Sequence, residues 1–406
     1  MSSLSTRQLI FINRYFHPDQ SATSRLLSDL VFALAEAGHN VLILTGQQRY
    51  DDPDAHLPAR EVWGKISVQR LAATRFGRLT LLGRAIDYLS FYVSMAFSLL
   101  KLARPGDTII PMTDPPMLSL LVAPIARIRG CRMINWLQDL YPEVAVAVGT
   151  PFLRPIMAKV IQGFRDRSLR AAVCNVVIST AMAERVSALG VKSECIRVIH
   201  NWIDDQTLSP IPPHENPIRR AWGLEDKFVV GYSGNLGRVH DIDTILLASG
   251  ELVDCQIVFL CIGGGAQYDA LKEAAERRGL TQLFRFMPYQ SETDLPYSLS
   301  AADVHWLSHK PEFEGLLFPS KFYGIAAVGR AIIAITSKQS EIAKLVSQYH
   351  CGVVIEEGDG KALALELKRL SAAPELCSAM GAHARAMLKS RFTKAQAIEA
   401  WGQTLT

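Results

Sequence analysis

Glu314 and Lys321 stand seven residues apart in Glu-Gly-Leu-Leu-Phe-Pro-Ser-Lys, between a Gly-bearing loop and a run of small residues. A carboxylate accepts hydrogen bonds from hydroxyls, and a side-chain cation neutralises phosphate. Pro319 suits the first turn of a helix, and Gly329 suits the position just past its end. A helix that starts there offers free N–H groups and the positive end of its dipole to an anion such as a diphosphate. Glu314, one turn earlier, is in reach of hydroxyls attached to that anion, and Lys321 adds a point charge. Arg238 lies in a second Gly-bearing loop that runs from Ser233 through Gly234 and His240 to Asp241. Its always-charged fork suits phosphate; a surface arginine without a ligand is the other reading. A carboxylate for hydroxyls beside cations for phosphates is the outline of a nucleotide-sugar site.

The elements that must hold these groups follow from hydrophobic pattern. Residues 331–335 form an apolar run that reads as a buried strand after the small-residue helix. At the other end of the chain, residues 8–13 read as a strand, 25–37 as a helix stopped by Gly38, and 40–45 as a second strand. No Gly-x-Gly-x-x-Gly follows that first strand, which argues against a nicotinamide or flavin dinucleotide. A long helix is expected at 79–102, and further strands at 107–112, 131–137, 173–179 and 195–199. Pro210, Pro212, Pro213 and Pro217 mark a linker. Strands then resume at 227–232, 256–262, 283–286, 302–307 and 352–355, with helices between them and a final helix at 394–405. The fold class is α/β: a βα alternation runs up to the linker and restarts after it.

The stretch 314–330, Glu-Gly-Leu-Leu-Phe-Pro-Ser-Lys-Phe-Tyr-Gly-Ile-Ala-Ala-Val-Gly-Arg, resembles the donor-binding signature of family-4 glycosyltransferases, retaining enzymes of the GT-B fold. His200-Asn201-Trp202-Ile203-Asp204 resembles that family's crossover segment. The Pro-Ser-Lys-x-Tyr-Gly form is associated with exopolysaccharide and O-antigen assembly. The resemblance implies an acceptor-side domain over 1–205, a nucleotide-sugar-binding domain over 206–388, and a C-terminal helix, 389–406, crossing back to the first. The resemblance also implies Rossmann-like folds on parallel sheets for both domains, facing each other across a cleft. Donor contacts are implied at Gly234, Asn235, Arg238, His240, Gly264, Tyr289, Gln290, Glu314, Gly315, Leu316, Leu317, Phe318, Ser320, Lys321 and Glu341. The resemblance gives the catalytic roles to Glu314, Arg238, Lys321 and Asp139. On the acceptor side it implies His17, Asp19, Gln20 and Ser21, with Asp139 at the end of a strand. His17 as a plain loop residue and Asp139 as a turn cap are the other readings. The chain departs from the family at three places. Gln138 stands where relatives carry His, Asn235 and His240 where they carry Arg and Lys, and the second motif glutamate falls at Phe322 or Gly324. Glu341 is a candidate to stand in for it.

A chain of 406 residues has length for two cores, and 49% hydrophobic with 20% charged residues is ordinary globular composition. Net charge is +4, but residues 1–200 carry 23 Lys and Arg against 15 Asp and Glu, and the rest carries 20 against 24. A basic first half suits anionic lipid or a phosphate-bearing acceptor; a solvated basic surface is the other reading. The long helix, with Phe91, Tyr92, Met95 and Phe97, is flanked by Arg75, Arg78, Arg84, Lys101 and Arg104. It fits a membrane interface or a face packed on the sheet. Uncharged stretches such as 88–100 and 115–126 fall short of the roughly 18–20 residues of a membrane span, so none is expected. Seven cysteines without Cys-x-x-Cys spacing read as reduced core residues of a cytoplasmic protein.

Taken together, the expected activity is metal-independent, retaining transfer of a hexosyl or N-acetylaminosugar group from a nucleotide-sugar, UDP-linked, to a lipid-linked or oligosaccharide acceptor in cell-surface polysaccharide synthesis. No cofactor beyond that co-substrate and no nucleic-acid partner is expected. The expected location is cytoplasmic, with peripheral attachment to the anionic inner face of the plasma membrane as one reading of it. A catalytically inactive nucleotide-sugar-binding protein and a nucleotide-sugar 2-epimerase are the alternatives.

Overall fold

The computed structural model describes residues 7–50, 52, 54–76, 81–150 and 155–405. They divide into two α/β units. The first runs through His200 and takes in Gly315–Phe318 and the chain from Ala397 onward; the second holds Asn201–Glu314 and Pro319–Gln396.

The first unit contains β1 (Gln8–Ile12), α1 (Ala22–Glu36), β2 (Asn40–Gly46), β3 (Arg60–Trp63), β4 (Ile66–Leu71), α2 (Leu81–Leu102) and β5 (Thr108–Pro111). It continues with α3 (Leu118–Arg129), β6 (Arg132–Leu137), α4 (Glu143–Ala147), α5 (Pro155–Ala171), β7 (Cys174–Val177), α6 (Thr180–Ala188) and β8 (Ile196–Val198). The strand order is β3-β4-β2-β1-β5-β6-β7-β8. Central strands covered on both faces need unbroken apolar runs, as in Leu9-Ile10-Phe11-Ile12, all buried. β3 departs from the parallel expectation. It pairs antiparallel with β4 across a Gly64-Lys65 turn, where Gly64 takes φ +59. The segment between residues 143 and 172, read without elements from sequence, holds α4 and α5.

Arg78, Leu79 and Thr80, at the expected start of the long helix, lie outside the described residues. Against the expectation of no span, Leu82–Leu102 is long and apolar enough to cross a membrane by length and composition. Its inner face is nonetheless part of the domain core: Phe91, Met95 and Leu99 pack with Ile10, Ile12, Leu44 and Ile109. α2 joins β4 to β5, and α3 and α5 lie on the paths from β5 to β6 and from β6 to β7. All three crossovers advance the same way across the sheet, so right-handed connection puts these helices on one face. The end of the chain belongs to this unit too, with the Trp401 ring edge-on to Trp136 at 4.8 Å.

The second unit contains α7 (Pro217–Ala221), β9 (Phe228–Asn235), α8 (Asp243–Gly250), β10 (Ile257–Gly264), α9 (Ala266–Arg277), β11 (Phe284–Met287) and α10 (Leu295–Ser300). Then come β12 (Val304–His309), α11 (Lys321–Ala327), β13 (Ala331–Thr336), α12 (Glu341–Gln348), β14 (Gly352–Ile355), α13 (Gly360–Ser371) and α14 (Pro374–Arg391). The final helix, α15 (Lys394–Leu405), follows. β9 runs three residues past its expected end, through Asn235. The parallel order is β11-β10-β9-β12-β13-β14. α14 rides directly on the turn after α11, because a Cβ on Gly381 would stand 2.0 Å from the Gly329 carbonyl oxygen. In both units the strand order reverses beside the first strand, between β1 and β5 and between β9 and β12. Ligands of open α/β sheets lie outside the carboxyl ends of the strands at such a reversal.

Candidate functional site

In the second unit the reversal places Ser233-Gly234-Asn235, at the end of β9, beside Ser308-His309, at the end of β12. Lys321, the first residue of α11, points back toward these strand ends. Its Nζ donates to the Asn235 carbonyl at 3.1 Å, stands 3.5 Å from His240 Nε2, and lies 5.1 Å from the centre of the Tyr232 ring. Gly234 lets it through: its φ is +122, and a Cβ there would meet Lys321 Cε at 2.9 Å. Burial pushes the ammonium down to about 8, and no carboxylate among the described residues offsets that.

His240 is buried, with Nδ1 2.9 Å from the Ser308 carbonyl. Burial and the Lys321 charge, against the Ser308 hydrogen bond, push its pKa down to about 3. The neutral ring gives its Nδ1–H to Ser308 and leaves Nε2 to accept from the ammonium. At the position aligned with a family lysine, His240 therefore supplies no charge, and Lys321 does. Arg238 is exposed two residues earlier in the same loop.

Glu314 follows a single 3-10 turn, Pro311–Phe313. Its Oε1 accepts from the Glu341 N–H at 2.8 Å, and its Oε2 lies 3.2 Å from His309 Nδ1. Burial works to raise its pKa. The close His309 ring, the Glu341 N–H hydrogen bond and the charge of Lys344 outweigh burial and hold the carboxyl below its usual range. Glu314 is thus an ionised group at the start of α12, still 28% exposed and able to accept from a ligand. His309 was not found from sequence; only the fold brings a histidine at a strand end beside that carboxylate.

Phe322 and Gly324, where the family's second glutamate would fall, are buried in α11. Glu341 is buried in the first turn of α12, which Ser340 caps. Gly315, Leu316, Leu317 and Phe318, read as donor contacts of the second domain, fold with the first unit. The Leu316 carbonyl accepts from the Leu140 N–H at 2.8 Å, and Gly315, at φ +69, sits against the Ala181 carbonyl. Ser320 is exposed, and its side chain makes no cap bond to α11. Gly264 ends β10; a Cβ there would lie 3.4 Å from the exposed Tyr289 ring, and the Gln290 amide donates to the Pro288 carbonyl at 2.8 Å.

At the first unit's own reversal, the loop after β1 is clasped by Asp19. Its Oδ1 accepts from the Ser21 N–H at 2.8 Å and from the Ser21 hydroxyl, and its Oδ2 accepts from the Tyr50 N–H. Both carboxylate oxygens hold the loop's own backbone. Gln20 accepts from Arg25 at 3.1 Å. The His17 ring meets Phe32 and Trp63 edge-on, each at 5.7 Å, while its carbonyl accepts from Arg70 at 2.7 Å. Asp139 follows β6 and is half-buried. It does not cap α4, whose N-cap residue is Pro142 with no side-chain bond. Burial and the charge of Asp114 push the Asp139 carboxyl up to about 7. Asp114, missed from sequence, comes near because β5 and β6 are paired neighbours. A carboxyl that titrates near neutrality can take up and return a hydroxyl proton.

Asp-x-Asp spacing, one carrier of metal sites, occurs at Asp52-Pro53-Asp54 and Asp241-Ile242-Asp243. In each the first carboxylate accepts from the second aspartate's N–H, both at 3.1 Å. Among the described residues no group of three or more His, Cys, Asp or Glu is placed to hold a metal ion.

Residues 22–202 match the Glycosyl transferase 4-like domain, and residues 215–387 match Glycosyl transferases group 1. A putative colanic acid biosynthesis glycosyl transferase of Escherichia coli is 26% identical over 350 residues, 82% of this chain and 84% of that one. A probable glycosyltransferase of Pseudomonas aeruginosa is 24% identical over 80% of each chain. Among solved structures, sucrose-phosphate synthase of Thermosynechococcus elongatus superposes over 98% of each chain, with a TM-score of 0.75 at 18% identity. The Anabaena protein HepE, solved in complex with UDP and glucose, covers 98% of this chain and 99% of its own, with a TM-score of 0.72 at 16% identity. The chain is therefore a glycosyltransferase of the two-domain GT-B fold, a glycosyl transferase 4-like domain followed by a group 1 domain, with relatives in polysaccharide biosynthesis.

Proposed function

We propose that this chain transfers a sugar, with retention of anomeric configuration, from a UDP-linked donor to a lipid-linked or other glycan acceptor in cell-surface polysaccharide assembly on the cytoplasmic side of a membrane. The observation that carries the reading is Lys321, a half-buried ammonium with no ion pair among the described residues, at the carboxyl ends of β9 and β12. Keeping such a charge out of water costs stability, and a bound diphosphate would offset that cost. As the sugar leaves, negative charge gathers on the departing diphosphate, and the preset Lys321 ammonium, joined by the exposed Arg238, stabilises it. Glu314, already ionised, accepts from donor-sugar hydroxyls. Asp139 accepts the proton of the attacking acceptor hydroxyl. Retention requires that hydroxyl to approach on the face the diphosphate leaves, and no covalent nucleophile is assigned. HepE, solved with UDP, supports the choice of base, and the colanic acid relative supports the pathway class.

The test is turnover of the full chain with UDP-, GDP- and ADP-sugars and a polyprenyl-diphosphate-linked sugar as acceptor. The expected result is a glycosylated lipid in the donor's anomeric configuration, formed at the same rate with a chelator present. Donor binding without turnover would replace this reading with a binding protein, and a C2-inverted nucleotide-sugar would replace it with an epimerase.

A further inference from the structure

We propose that the outer faces of α2, α3 and α5 form a docking surface for an anionic lipid bilayer, an inference that goes beyond sugar transfer and stands on separate observations. α2 is apolar on two sides. The side carrying Phe91, Met95 and Leu99 is at most 1% exposed and packs on the sheet, so this helix is committed to its own domain and does not cross a bilayer. On the opposite side Leu89, Val93, Phe97 and Leu100 are between 40% and 71% exposed. At about 100° per residue these four fall within roughly 80° of one another, a single stripe. An ordinary surface helix carries polar residues there.

The stripe does not end with α2, for α3 packs beside α2 and α5 beside α3. Ile128 of α3 is 74% exposed, and Val160 and Phe164, one turn apart on α5, are each 55% exposed. Apolar groups exposed across three adjacent helices exceed the scattered single residues of an ordinary soluble surface.

Charge selects the occupant. Arg84 and Lys101 on α2, Arg127 on α3, and Lys159 and Arg167 on α5 are all exposed. The three helices hold two acidic residues, of which Asp87 is buried and Asp166 is paired with Arg165 at 2.8 Å. A second copy docking face to face would set one basic rim against another. An anionic bilayer accepts the apolar side chains at its acyl boundary and pairs its headgroups with the rim.

Co-sedimentation of the full chain with vesicles of mixed phosphatidylglycerol and phosphatidylcholine tests this. Binding is expected at low salt, with release as salt rises and none to phosphatidylcholine alone. The double variant K101Q/K159Q should bind about thirtyfold more weakly, and F97E/F164E should lose binding even at low salt. L365E, which places a charge on exposed α13, should bind as the unmodified chain does. Thermal melting checks that each variant is folded, and since all these side chains point outward, midpoints should hold. The proposal is overturned if the unmodified chain stays in the supernatant or if F97E/F164E binds equally well. It is also overturned if light scattering shows a dimer that F97E splits, which would give the face to a second copy. No donor is present, so failure here leaves the transfer reading standing, and failure of turnover leaves this one standing.

Discussion

Replacing Lys321 with Met should stabilise the free protein and at the same time cripple donor binding. A lysine ordinarily stays protonated up to 10.5, whereas burial pushes Lys321 down to about 8. That difference of about 2.5 pKa units corresponds to roughly 3 kcal/mol against the folded state at neutral pH. A base depressed on folding binds fewer protons in the folded than in the unfolded chain between about 8 and 10.5. Stability from this group therefore rises with pH through that window and is lowest, and flat, below about 8. Methionine removes the penalty but forfeits the hydrogen bond to Asn235, worth about 1 kcal/mol, and the contact with the Tyr232 ring, worth about as much. The net gain is about 1 kcal/mol, or a melting temperature higher by about 2–4 °C. Donor binding responds oppositely. A diphosphate favours the charged amine, so affinity should be level below about pH 8 and fall about tenfold per pH unit above it. Losing one charge-assisted bond should weaken the K321M variant by about 10- to 100-fold at neutral pH. Melting with and without UDP-sugar at neutral pH, and calorimetry on both sides of the transition, provide the readouts. A K321M protein that gains as much from UDP-sugar as the unmodified chain would refute the reasoning.

The acceptor side predicts an acid limb in the pH–rate profile with a midpoint near 7, because Asp139 must be ionised to accept a proton. D114N removes the repelling charge and should move that limb to lower pH, while D139N should abolish it. E314Q should lower kcat/KM about a hundredfold, the scale of one lost preorganised group. Its cost to stability should be only about 1 kcal/mol, from the weakened charge at the start of α12. G381A places a methyl 2.0 Å from the Gly329 carbonyl. It should cost about 3 kcal/mol or more, read as a lower urea midpoint of unfolding.

Strands covered on both faces were legible in the sequence because burial demands unbroken apolar runs, as at β1, β10 and β13. The β3–β4 hairpin was not, because a half-exposed edge strand such as Arg60-Glu61-Val62-Trp63 keeps polar residues and shows no such run. α5 was missed because its outward Ile156, Val160 and Phe164 sit among Lys and Arg residues and blur the one-faced pattern expected of a surface helix. Glu314 and Lys321 were legible from their types and spacing. Their partners were not: His309 reaches Glu314 from the end of β12, and Asn235 meets Lys321 from the end of β9, through strand adjacency that no local spacing encodes. The same holds for Asp114 and Asp139 on neighbouring β5 and β6. Asp19 shows the converse. Its type suited a ligand contact, yet both carboxylate oxygens are taken by Ser21 and Tyr50.

Photolabelling with 5-azido-UDP-glucose, followed by peptide mapping, tests most directly whether a nucleotide-sugar lies at the reversal between β9 and β12. The account predicts labelling that unlabelled UDP-sugar competes away, confined to peptides that contain Gly234–Asp241, Gly264, Tyr289 or Glu314–Lys321. Competed labelling that falls only on peptides of the first unit outside 314–321, or no competed labelling at all, would contradict it.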